Sequence, residues 1–154
     1  MPPSNDDEWL AAQIERLAPS RVTVLLLGGT PAARAAVARA LHDRSGRRDD
    51  PFVALDCSAL SGEELERRLF GGPMTEPAAR GLVHQMARGT LYVAAVDALP
   101  VLLQPRFLSF LERDREVRVV TSARLDLSGL VRDGRFRSDL GERLLVVQLV
   151  LPNG

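Results

Sequence analysis

Two patterns of apolar positions alternate along this chain. Residues 22–27 (VTVLLL) form a continuous apolar run, and largely apolar segments at 52–55, 90–96 (TLYVAAV), 117–121 and 144–149 predict four further strands. A short run with no polar side reads as a strand buried on both faces. Between these runs the apolar residues take helical spacing. Trp9, Leu10, Ile14 and Leu17 predict a helix over 9–17, broken by Ala18-Pro19-Ser20-Arg21. Residues 32–42 form an Ala-rich helix. Ser61 opens another, with Glu63 and Glu64 near its positive end, and Gly71-Gly72-Pro73 stops it. Shorter helical pieces are predicted at 81–87, 101–111, 127–131 and 137–140. Strands alternating with helices imply a parallel sheet covered on both sides. Five such strands with right-handed crossovers give an α/β fold of three layers, helix on sheet on helix. Residues 1–8 are polar and acidic and read as a disordered lead. One core domain then occupies 9–154, and 44–50 is a solvated loop.

Composition narrows the function classes. A chain of 154 residues suits one globular domain. Twenty basic and twenty acidic residues cancel, so bulk charge gives no support to direct DNA binding. The single cysteine, Cys57, excludes an internal disulfide and fits a reducing cytoplasm. It follows a strand, where a small buried residue is the expectation rather than a nucleophile. No apolar run is long enough to span a bilayer, and the acidic start is not a signal peptide. His42 and His84 stand apart from any Cys/His cluster, so no metal site is expected. Trp9 is expected to pack on the sheet; an exposed Trp would mark a partner surface.

The segment strand–GGTPAAR–helix sits where a phosphate-binding loop would. A working loop reads G-x-x-x-x-G-K-[ST]: its N–H groups wrap the phosphates, the Lys neutralises them and the hydroxyl holds magnesium. Gly28 keeps the first position and Gly29 follows it, but Ala33 takes the second glycine, Arg34 the lysine and Ala35 the hydroxyl. Pro31 removes one N–H from the loop. All twenty basic residues are Arg, so no other alignment restores a lysine. A planar guanidinium does not substitute freely for an ammonium. The turn from Gly28 to Arg34 is therefore expected to be collapsed or filled, with Arg34 on a carboxylate or in solvent.

Four ordered blocks carry a family resemblance. Residues 13–20 (QIERLAPS) lead into the first strand. PFVALDCSAL (51–60) with SGEELERRLFG (61–71) looks like P-F-V-x-x-N-C-x-x-L…E-x-x-L-F-G. ARGTLYV (87–93), Leu99-Pro100 and LLQPRFLSFLE (102–112) look like G-G-T-L-F-L-D-E-I-x-x-L-P…Q-x-x-L-L-x-x-L-x-E, and DGRFRSDLGERL (133–144) looks like G-x-F-R-x-D-L-x-x-R-L. In these blocks the chain resembles the AAA+ domain of sigma-54-dependent transcriptional activators. The resemblance implies an AAA+ core with sheet order 5-1-4-3-2, a bound ATP with magnesium, and a hexameric ring.

Departures from the family pattern change those expectations. The Asp-Glu pair of the third strand, which would hold magnesium and polarise the attacking water, falls on Ala94 and Ala95. Asp97 lies three positions past the Asp. The sensor Asn falls on Arg124. Residues 72–80 replace the family's sigma-contacting loop without its Gly-Ala-Phe-Thr-Gly-Ala motif. Residues 112–116 replace a hairpin by a nearly direct link. The chain ends at Gly154, before the helical lid and helix-turn-helix of a full activator. Arg137 and Arg143 match the two arginine-finger positions, and either retained action in trans or plain inheritance accounts for them.

The reading is a catalytically inactive AAA+ core, a regulatory or protein-interaction module with no bound ATP, magnesium or other cofactor. Its partner is another protein, a regulator or an active AAA+ relative, and the chain is a monomer or dimer rather than a hexamer. Two alternatives stay open. One is a weak ATP-binding sigma-54 interaction domain. The other is a trans-acting arginine-finger subunit in a mixed ring.

Overall fold

The structure is a computed structural model that describes residues 5–73, 81–114 and 116–152, with only the backbone of His84. Five strands form one sheet: β1 (Val24–Gly28), β2 (Phe52–Asp56), β3 (Thr90–Ala94), β4 (Arg118–Ser122) and β5 (Gln148–Leu151). Their order is β2-β3-β4-β1-β5. Every pairing is parallel, with Leu26 opposite Ser122 and Leu149, and Val93 opposite Leu55 and Thr121. The order expected from the resemblance, 5-1-4-3-2, is this same order read from the other edge.

Helices cover both faces. On one face α1 (Asn5–Leu17) and α2 (Pro31–Asp43) bury Ile14, Leu17, Val37, Ala38 and Leu41 against Val24, Leu26, Tyr92 and Val120. On the other lie α3 (Gly62–Phe70), α4 (Leu82–Gln85), α5 (Gln104–Arg113), α6 (Leu127–Arg132) and α7 (Ser138–Leu144). They bury Leu65, Leu69, Phe107, Leu127, Leu140 and Leu144 against Leu25, Leu91, Val93 and Val119. Adjacent strand residues point to opposite faces. Inner strands of a sheet sandwiched between helices are therefore buried on both faces, and the polar members of β3 and β4, Thr90, Arg118, Thr121 and Ser122, are buried with hydrogen-bond partners.

Capping sets the helix boundaries. The Ser61 hydroxyl accepts from the Glu64 amide at the start of α3, and Gly71 ends that helix in the left-handed conformation. α1 starts at Asn5 rather than at Trp9, so residues 5–8, expected as lead, are its first turn. Asp6, Asp7 and Glu8 stand at its positive end, where they favour helix. Residues 1–4 lie outside the described residues. Trp9, expected on the sheet, is 45% exposed, and Ile14 and Leu17 carry the packing of α1 instead.

The last strand also differs from its expected limits of 144–149. Leu140, Gly141 and Leu144 are buried at helical spacing and belong to α7. Strand pairing begins only at Gln148, after which Leu149 and Leu151 turn inward and Gln148 and Val150 outward. β5 is an edge strand, so its period of two replaces the continuous burial of the inner strands.

β1 runs into its turn at Gly28 and Gly29, both at positive φ (72° and 62°). A Cβ on Gly28 would stand 2.6 Å from the Leu151 carbonyl oxygen. Gly134 has nearly the same φ, 73°, with nothing within 4 Å. Gly134→Ala therefore carries only the conformational cost of about 1–2 kcal/mol, whereas Gly28→Ala adds a backbone clash. We expect Gly28→Ala to lower the thermal midpoint by roughly 5 °C or more beyond Gly134→Ala. Equal midpoints in a calorimetric scan of the two variants would remove the clash from the account.

Candidate functional site at the carboxyl edge of the sheet

In open α/β sheets ligands bind beyond the carboxyl ends of the strands. Here β1, β4 and β3 are neighbours, so their following loops lie together at one edge. These loops carry Gly28, Gly29, Ala33, Arg34 and Ala35 after β1, Ala94 and Ala95 at the end of β3, and Arg124 after β4. Arg137 is the N-cap residue of α7, and Arg143 lies in its last turn.

The turn after β1 is short. β1 ends at Gly28 and α2 begins at Pro31, leaving only Gly29 and Thr30 between them. Thr30 is the N-cap: its Oγ1 accepts from the Ala33 amide at 3.0 Å, and its carbonyl accepts from the Arg34 amide at 3.0 Å. Pro31 has no N–H to offer. Three of the four positions from Pro31 to Arg34 thus present no free amide to a ligand. Arg34 is 7% exposed and turns back into the turn, donating Nη1 to the carbonyls of Gly28 at 2.9 Å and Gly29 at 3.2 Å. The expectation that Arg34 meets a carboxylate or lies in solvent is corrected: it is buried on backbone carbonyls. Positive φ at both glycines shapes the turn that offers those two oxygens. Ala35 is exposed on α2.

At the end of β3, Ala94 is half-buried and Ala95 is buried in the left-handed region, at φ 52°. Ser122, at the end of β4, fastens this corner. Its Oγ accepts from the Tyr92 hydroxyl at 2.8 Å and from the Ala95 amide at 3.2 Å. Burial pushes the Tyr92 phenol up, with the Ser122 bond and the Arg34 charge pulling the other way.

Asp97 sits in the single turn after β3, and its side chain is fully buried. Its carboxylate accepts from the Arg124 amide at 2.9 Å and from Arg124 Nε and Nη2 at 3.1 and 3.0 Å. A three-point, charge-assisted contact of this kind ties the β3 and β4 loops together. Sequence reasoning noted both residues but not the pair. They are 27 residues apart, in the loops after two different strands, and the sheet order brings them together. The carboxylate closest in sequence to positions 94 and 95 is therefore already committed to an arginine.

The two α7 arginines are also engaged within the chain. Arg137 holds Asp139 through Nε at 3.1 Å and Nη2 at 2.9 Å, at the surface. Its own amide donates to Gln104 Oε1 at 2.8 Å. Hydrogen bonding to Asp139 raises the Arg137 pKa, and the same bond lowers that of Asp139. Arg143 donates Nη2 to the Leu111 carbonyl at 3.0 Å. Elsewhere, Cys57 is buried, and desolvation pushes its thiol up to about 12, which leaves it a poor nucleophile. His42 is buried, with Nδ1 2.8 Å from Thr90 Oγ1. Among the described residues no group of three or more His, Cys, Asp or Glu could hold a metal ion, and no helix is long and apolar enough to cross a membrane. Of the segment expected to replace the sigma-contacting loop, residues 74–80 lie outside the described residues.

A five-stranded parallel sheet of this order, with a helix following a glycine turn after β1, defines the class: a P-loop NTPase-type α/β domain. Residues 4–150 match the family described as the sigma-54 interaction domain, and the chain belongs to that family. It is 38% identical over 162 residues to the DNA-binding transcriptional activator HyfR of Escherichia coli K12, covering 94% of this chain and 24% of HyfR. With the sigma54-dependent transcriptional activator SfnR of Pseudomonas putida it shares 36% identity over 160 residues, covering 92% of this chain and 43% of SfnR. Among solved structures, NtrX from Brucella abortus in complex with ADP superimposes with a TM-score of 0.86 at 30% identity, over 97% of this chain and 36% of NtrX. The chain thus spans between about a quarter and two fifths of the length of these relatives.

The Asp97–Arg124 contact yields a measurable coupling. Arg124 is partly exposed, so water screens part of the attraction. A double-mutant cycle of Asp97→Asn and Arg124→Gln is expected to give a coupling of about 1–2 kcal/mol by urea unfolding. Additive single effects would show that the two loops are not tied through this pair.

Proposed function

We propose that this chain is a pseudo-ATPase: a protein-interaction and regulatory module on an AAA+ core, acting without nucleotide. The observation that carries the reading is the closed turn after β1. Thr30 and Pro31 leave few free amides, and the Arg34 guanidinium lies on the Gly28 and Gly29 carbonyls. Those residues do not fit a magnesium–nucleotide. A phosphate chain needs a row of free N–H groups, magnesium needs a hydroxyl and a carboxylate, and hydrolysis needs a group to orient water. Position 35 has no hydroxyl and positions 94 and 95 have no carboxylate. The relatives' names place the family in sigma-54-dependent transcription, and this chain is assigned to the same setting through contact with another protein. That protein is a regulator or an active AAA+ relative.

Isothermal titration with ATP or ADP at millimolar concentration and with magnesium is expected to show no binding. Light scattering is expected to find a monomer or dimer with and without ATP, since ring joints of this class are built around nucleotide. Saturable ATP binding in the micromolar range, or a hexamer, overturns the reading.

A second reading draws on Arg137. Its side chain is exposed at the surface and held in one geometry by Asp139. An arginine so presented could reach a neighbouring subunit's phosphates, making the chain the finger-donating member of a mixed ring. Mixing the chain with an active relative separates the readings. If a stimulated ATPase rate falls back to the basal rate with Arg137→Ala but not with Arg143→Ala, the mixed ring gains. If neither change matters, both arginines are inherited features of α7.

A further inference from the structure

The opposite, amino-terminal edge of the sheet gathers arginines in strand order. Arg47 precedes β2, Arg88 precedes β3, Arg118 opens β4 and Arg21 precedes β1. Those four strands are consecutive neighbours, so four guanidinium groups are delivered to one edge. Two of them act as structural ties. Arg118, 1% exposed, donates Nη1 to the Ala18 carbonyl at 2.7 Å and Nη2 to the Leu17 carbonyl at 2.8 Å, and so holds the end of α1. Its Nε is buried with no acceptor. Arg47 donates Nη1 to the Arg88 carbonyl at 2.9 Å and also to the Glu116 carbonyl. The other two, Arg21 and Arg88, are exposed.

Between them lies a pocket of about 420 Å³, lined by Arg21, Arg47 and Arg88, with Ser20, Ser45 and Glu116 among its walls. None of Arg21, Arg47, Arg88 or Arg118 forms a carboxylate ion pair among the described residues. Burial lowers the Arg47 pKa, and the charges of Arg21 and Arg88 lower it further, against the pull of Asp50 and Asp114. Arg118 is pushed down to about 10, by burial first and then by Arg47. Like charges held this close are mutually unfavourable until an anion joins them.

We propose that this pocket is a binding site for a small soluble molecule bearing a phosphate group, gripped by Arg21, Arg47 and Arg88. A guanidinium matches two phosphate oxygens at once, and three of them around one concavity offer more donors than Glu116 can neutralise. The site stands at the far end of the sheet from the turn after β1, and it does not depend on the pseudo-ATPase reading.

Thermal unfolding with inorganic phosphate and with pyrophosphate, against chloride at matched ionic strength, tests it. The expected result is a saturable rise in Tm, about 5 °C or more at a hundredfold excess over Kd. The rise is lost in the Arg21→Ala/Arg88→Ala variant, whose exposed positions leave the Arg47 and Arg118 ties in place. It is kept in Arg34→Ala, which alters the other edge. No saturable rise in the wild-type chain, or an equal rise in the double variant, overturns the proposal. So does co-sedimentation with phosphatidic acid vesicles without any response to soluble phosphate, because the ligand would then be a lipid headgroup.

Discussion

The Thr30 hydroxyl accepts from the Ala33 amide, and that single cap decides what the carboxyl end of β1 can hold. A helix amino terminus has amides without partners inside the helix, and free amides there make an anion site. With the cap at Thr30, α2 starts at Pro31, a residue suited to the first helical position because it has no amide to leave unpaired. The connection shrinks to Gly29 and Thr30. Arg34, four residues beyond the cap, then lies one turn along the helix and within reach of the Gly28 and Gly29 carbonyls. Cap, proline, glycines and arginine are mutually consistent, and each fixes the turn in the same closed shape.

The two edges of the sheet use arginine in different ways. At the carboxyl edge Arg124 is paired with the Asp97 carboxylate, and the single Arg34 guanidinium is turned inward onto two carbonyls. At the amino edge Arg47 and Arg118 also hold carbonyls, but carbonyl dipoles do not cancel a full charge, and Arg21 and Arg88 add two more. A chain of zero formal net charge can therefore hold a pocket whose lining carries three arginines against one carboxylate, Glu116. Net charge, which argues against an extended nucleic-acid surface, says nothing about a local concavity.

Much of the fold was legible because strand burial and helix capping are local properties. The run VTVLLL could only be an inner strand, and Ser61 followed by Glu63 and Glu64 could only start a helix. The misplaced elements were those whose pattern depends on position in the sheet. The run LLVVQLVL is apolar except for Gln148, and only the packing of Leu140 and Leu144 shows that its start belongs to α7. Residues 5–8 look like a lead because they are acidic, yet at a helix start the same charges favour order. Positions 33–35 were legible from the phosphate-loop spacing, and positions 94 and 95 from the family resemblance. The partners of Arg34 and Arg124 were not, since a side chain's choice between solvent, carboxylate and carbonyl is made by tertiary geometry.

Contacts that would ordinarily converge on a nucleotide must be replaced if the same fold is to stand without one. A loop shaped for phosphate carries inward amides, and the strand ends around it carry like-charged carboxylates that need a metal. With alanine at positions 94 and 95 the carboxylate repulsion is gone. The β3 end is instead fastened by Ser122, which accepts from both Tyr92 and the Ala95 amide. The left-handed conformation of Ala95 is strained for a residue with a Cβ, and such strain persists only where surrounding contacts fix it. Here the buried Asp97 carboxylate, two residues on, supplies that constraint through Arg124. The ends of β4 and β3 are thus joined by Ser122 and Arg124, while Arg34 closes the β1 turn on itself. Under the proposed function this edge is a permanently closed surface, and regulation has to act through what the surface touches rather than through what it turns over.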